Sequence, residues 1–128
     1  MKKLLTAAAF LALAMPALAQ PAKIMGTPPA GKTINDYYKQ SVYDPAKDKI
    51  GKVDDMVMSE SGQITALIID VGGVAGIGSK DVAVPFSAVK ADMKDGAWYL
   101  TLNASKDELK SAPGLTYDKT KSAWVPTK

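Results

Sequence analysis

Three stretches of this 128-residue chain hold residue types at spacings that chemistry uses. Ser87-Ala88-Val89-Lys90 is an S-x-x-K, which on a helix would set a lysine amine beside a serine hydroxyl for acylation. Val71 to Lys80, VGGVAGIGSK, puts Gly72, Gly73, Gly76 and Gly78 directly behind the apolar run ALIIDV, and backbone N–H groups at such a turn can approach a phosphate. Asp44, Asp48, Asp54 and Asp55 crowd carboxylates into a short segment, and calcium takes about six oxygen ligands from such groups.

Each stretch lacks its companions. The S-D-N and K-T-G elements that accompany an acylating S-x-x-K are missing. A phosphate loop needs a helix directly after it, whereas DVAVPF reads as a strand. Gly73, Gly76 and Gly78 also run G-x-x-G-x-G, the reverse of the dinucleotide order, and no GK[ST] follows. The aspartates do not match a calcium loop and are interleaved with Lys47, Lys49 and Lys52, which fits a turn and a solvated strand face.

Histidine, cysteine and arginine are all absent. That removes Ser-His-Asp and Cys-His nucleophiles, thiolate and imidazole zinc sites, disulfides and guanidinium clamps. The expectation is a non-enzymatic protein with no catalytic residues, no cofactor and no metal. Two alternatives stand beside it: a small hydrolase using Ser87 and Lys90, and a weak anion or metal binder.

Lys2 and Lys3, the apolar stretch Leu4 to Met15 and then Ala17-Leu18-Ala19 have the layout of a secretory signal cleaved after Ala19. Losing its two lysines takes the formal net charge from +3 to +1. The expected mature protein is bacterial, periplasmic or secreted, without a membrane span. Its charges alternate in sign without a basic block, so no nucleic-acid partner is expected.

The chain then divides into a Pro- and Gly-containing lead-in over 20–40, a domain over 41–113 and a tail over 114–128. Thr33 can start a helical turn that docks Ile34, Tyr37 and Tyr38. Strands are expected at SVY (Ser41 to Tyr43), Ile50 to Glu60, Gln63 to Val71, Lys80 to Lys90, ADMK and AWYLTLN. Ser61-Gly62 and Asp95-Gly96 supply hairpin turns. Pro85 lacks a ladder donor and must lie at an edge or end its strand's pairing. Ser105 to Glu108 forms a capping box for a short helix stopped by Pro113-Gly114. The tail, anchored by Leu115, Tyr117 and Trp124, is either mobile or a strap lying on the domain. Six short strands and one helix point to a small barrel.

From Ser41 to about Pro113 the chain resembles the PRC-barrel domain, named after the H subunit of the photosynthetic reaction centre. The resemblance rests on the order of the VYD opening, Ile50-Gly51-Lys52-Val53, the Gly72-Gly73 pair, Gly76-Ile77-Gly78 and Val82-Ala83-Val84-Pro85-Phe86. It implies a mainly β, six-stranded barrel that binds other macromolecules and has no established catalytic centre. Val74 and Ala75 stand where relatives usually carry a bulky aromatic residue and leucine.

In QITALIIDV, Ile64, Ala66, Ile68 and Asp70 share one face while Thr65, Leu67, Ile69 and Val71 share the other. One set can fill a barrel; the other must be covered, by the helix or tail or by a partner. The partner reading places a protein interface at Leu67, Ile69, Val71, Val74 and Ile77. Its occupant is an unknown protein or a second copy.

Overall fold

A computed structural model describes residues 21–72 and 79–127. The chain divides between Ala30 and Gly31. Residues 21–30 contain no helix or strand, and Ile24 and Met25 there are exposed. From Gly31 onward the order is β1 (Ser41–Tyr43), β2 (Lys49–Met58), β3 (Ile64–Val71), β4 (Lys80–Pro85), β5 (Val89–Lys94), β6 (Ala97–Leu102), α1 (Lys106–Ser111), β7 (Leu115–Asp118) and β8 (Ala123–Pro126). Single 3-10 turns occupy Ile34–Asp36 and Phe86–Ala88. The signal-like segment over 1–19, and Val74, Ala75 and Ile77 of the glycine segment, lie outside the described residues.

The strands form one sheet in the order β5-β6-β1-β2-β3-β4-β7-β8. Neighbours run antiparallel except β1 and β6, which pair parallel through Val42 with Leu100 and Tyr43 with Thr101. The chain is therefore mainly β, but the expectation of six strands closed into a barrel needs correcting. The described residues form eight, and β5 and β8 each keep one neighbour, so the ladder is open. The two added strands come from the tail. Tyr117 pairs with Trp124 across β7 and β8, and the Asp118 carboxylate accepts from the amides of Thr120 and Lys121 to hold the connecting turn.

Local chemistry explains most boundaries. Asp95 (φ 49°) and Gly96 (φ 79°) both adopt left-handed backbone and join β5 to β6 directly, the pattern of a type I′ hairpin. Pro85 is the last residue of β4, where its missing N–H ends the pairing. Ser105 accepts from the Glu108 amide at 3.0 Å while Glu108 accepts from the Ser105 amide at 2.9 Å. At the C-terminus of α1, the Lys80 amine donates to the carbonyls of Lys110 and Ala112, satisfying groups a helix end leaves open.

One core gathers Val42, Val53, Leu67, Ile69, Val71, Val82, Val84, Leu100 and Leu102, with Tyr37 from the segment before β1 and Leu109 from α1. Gly51 is required at the centre of this packing. A β-carbon there would lie 2.5 Å from Ile69 Cγ2 and 2.8 Å from the Asp70 carbonyl oxygen, so β3 approaches β2 more closely than any side chain allows.

Candidate interaction surface

The face expected to meet a partner is the one this chain buries. Leu67 and Ile69 are wholly inaccessible and Val71 nearly so, all three within the core. Alternation along β3 does not decide which apolar face turns inward; packing against Val53, Val82 and Leu100 does. Val74 and Ile77 lie outside the described residues.

The opposite face is covered differently. Ile68 is also fully buried, yet it stands apart from the core cluster. In register it opposes Asp55 of β2, and the indole N–H of Trp124 donates to the Asp55 carboxylate at 2.7 Å. The β7–β8 hairpin thus reaches over this face from the far side of β4. Of the two readings of the tail, the strap is what the structure contains.

Four carboxylates from distant parts of the chain accompany that face. Asp55 uses one oxygen on Trp124 and the other on the Met56 amide. Asp54 receives the Lys39 amine at 3.0 Å. Asp70 and Asp81, directly opposed across β3 and β4, each have a buried oxygen with no hydrogen-bond partner among the described residues. Burial, then the negative charges of Asp54 and Asp70, push the Asp81 carboxyl up to about 6. This arrangement could not be read from the sequence, because positions 54, 70 and 81 meet only through strand register.

The residues weighed for catalysis are not assembled. Ser87 sits exposed in a 3-10 turn, and the exposed Lys90 amine lies 3.8 Å from Asp92 at the start of β5. No hydrogen bond joins Ser87 to Lys90 among the described residues. The glycine segment connects adjacent antiparallel strands, with β4 rather than a helix after it, and Gly72 at φ 72° begins the connection. The crowded aspartates separate as well: the Asp44 side chain accepts from the Asp48 amide within its turn, while Asp54 and Asp55 take the partners named above.

What remains open is an apolar surface at the end of β2. One groove of about 490 Å³ is lined by Ile34, Tyr37, Met56, Ile64 and Phe86 with Lys32 at its rim. A second, of about 470 Å³, is lined by Met56, Val57, Met58, Tyr117 and Trp124 with Asp55 beside them. Met56 belongs to both. Around them Ile34 is 58% exposed, Met58 56% and Tyr117 44%, a patch of aliphatic, thioether and aromatic surface left in water.

A family model for the PRC-barrel domain matches residues 31–109, more than half of the chain. The chain belongs to the PRC-barrel family. This membership points to a non-catalytic module. The match ends before β7, so the hairpin that covers Ile68 lies beyond the matched stretch. No curated protein matches the chain significantly. Among the described residues no helix is long and apolar enough to cross a membrane, and no group of three or more acidic side chains is placed to hold a metal ion.

Proposed function

We propose that this PRC-barrel protein is a non-catalytic interaction module of the bacterial periplasm, engaging a protein partner through the paired grooves that meet at Met56. In this reading β1 to β6 are the six strands of the family's domain, and the β7–β8 hairpin extends their sheet past β4. The observation that carries it is that Met56 lines both grooves, with Ile34 and Met58 more than half exposed beside them. Surfaces of this kind are uncommon on isolated domains and mark binding sites. Methionine suits the role because its unbranched thioether adapts to differently shaped partners.

The occupant is a polypeptide segment presenting apolar side chains to the grooves, and a second copy of the chain is one such source. The test places a photo-crosslinking residue at Met58 or at exposed Asp107 in the exported full-length protein. Crosslinks to a defined polypeptide from position 58 that fail from 107, and that disappear with Ile34→Lys, support the reading. Equal labelling from both positions overturns it. Sedimentation over a concentration series assigns the partner: association weakened by Met58→Lys identifies a second copy, and a strict monomer leaves a different protein.

A further inference from the structure

The hairpin-covered face holds more negative charge than it neutralises. Lys39 reaches Asp54, and Trp124 and the Met56 amide satisfy Asp55. Asp81 lies beside Asp54 and directly opposite Asp70, and each of Asp70 and Asp81 leaves a buried oxygen unmatched. Like charges directly opposed across a sheet repel, and a buried carboxylate oxygen without a donor loses its hydration uncompensated. One proton resolves both difficulties. On Asp81 it removes a charge and creates a donor toward Asp54, whose other interaction is with the Lys39 ammonium.

The other charged groups nearby leave this deficit in place. On β2, Lys52 is the register partner of Asp70 but forms no ion pair with it within 4.0 Å among the described residues. Lys52 lines an open cavity of about 320 Å³ together with Lys49, Asp70 and Lys106 of α1. On β4 the Lys80 amine is committed to the end of α1, and Lys110 lays its aliphatic stem near Gly72. On β7 the residue opposite Asp81 is Leu115, which brings no charge. The 3-10 turn over Phe86–Ala88 and β1 contain no ionisable group other than Tyr43.

We propose that Asp54, Asp70 and Asp81 together form a proton-binding switch in which Asp81 carries the proton and its loss loosens the β3–β4 ends that bear the glycine connection. The direction of the Asp81 shift agrees with this geometry. A carboxyl that holds its proton more tightly when folded contributes stability that is complete below its unfolded range, near 3.8, and is lost as pH rises through about 6. Mild acid therefore tightens these strand ends.

The experiment is a carboxyl-carbon NMR titration of the full mature chain from pH 3 to 8, read together with amide exchange at Val71 and Lys80 after correction for intrinsic rates. The expected result is one aspartate titrating near pH 6, lost in Asp81→Asn, with exchange at Val71 and Lys80 slowing as that group protonates. Asp81→Asn keeps the shape and mimics the protonated form, so its exchange at those amides is slow at pH 7 and independent of pH. Asp92→Asn, in an exposed pair, leaves the midpoint in place. If every aspartate titrates below about pH 4.5, or if the midpoint near 6 survives in Asp81→Asn, the proposal is overturned.

Discussion

The two faces of β3 are both apolar and both covered, but by parts of the chain with different origins. Leu67, Ile69 and Val71 pack into the core built by strands within the family-matched region. Ile68, turned the other way, is buried beneath the hairpin that follows the match. The inner face is closed by many side chains converging from several strands. The outer one depends on a two-stranded strap paired to β4 at Asp81 and Leu115 and anchored at Asp55 by one indole N–H. The difference teaches that burial of a side chain does not reveal how securely its cover is held.

The comparison breaks most severely on the inner face. Leu67→Ala removes a fully buried side chain and should cost roughly 2–5 kcal/mol of unfolding free energy in a denaturant melt. Gly51→Ala tests the same face by overfilling it, since the new β-carbon meets Ile69 and the Asp70 carbonyl. A loss of about 1–3 kcal/mol is expected, with chemical-shift changes centred on Ile69 and Asp70. On the outer face, Trp124→Phe keeps most of the ring but removes the donor to Asp55, and should cost about 1 kcal/mol. Its signature is increased exchange in β7 and β8 with little change in β1, β2 and β6; a uniform loss of protection would show that the strap and the core unfold as one unit. The smallest effect is at the hairpin turn. Hydrogen bonds from Thr120 and Lys121 hold the Asp118 carboxyl below its usual range, so its contribution is complete above that range and is lost as pH falls through the lowered folded value. Asp118→Ala should remove this slight acid sensitivity, detectable as a flatter profile of melting temperature against pH at the acid end.

Much of the scaffold is legible in the sequence. The spacing of Val82 and Val84, the Asp95-Gly96 turn, the Ser105–Glu108 box and the halt at Pro85 all report local preferences that tertiary structure left intact. The orientation of β3 was not legible, because a strand apolar on both sides satisfies a period of two in either sense. The tail was equally ambiguous: its polar residues conceal a hairpin whose cross-strand pair, Tyr117 with Trp124, joins positions that local pattern alone leaves unmatched. The two grooves at Met56 draw on residues from 31 to 124, and the carboxylate cluster on residues from 39 to 81. Neither leaves a motif, since each exists only after the sheet has formed.

The parallel contact between β1 and β6 sets the order in which the molecule can mature. β1 is only Ser41–Tyr43, flanked by β2 on one side and on the other by a strand that begins more than fifty positions later. Its second neighbour cannot form until most of the domain has been synthesised and a long loop has closed, a step that topology makes slow. An emerging chain can therefore build the β2–β3–β4 meander early, while the insertion of β1 beside β6 waits. Within the family-matched region a late step in folding is thus expected at the earliest strand among the described residues.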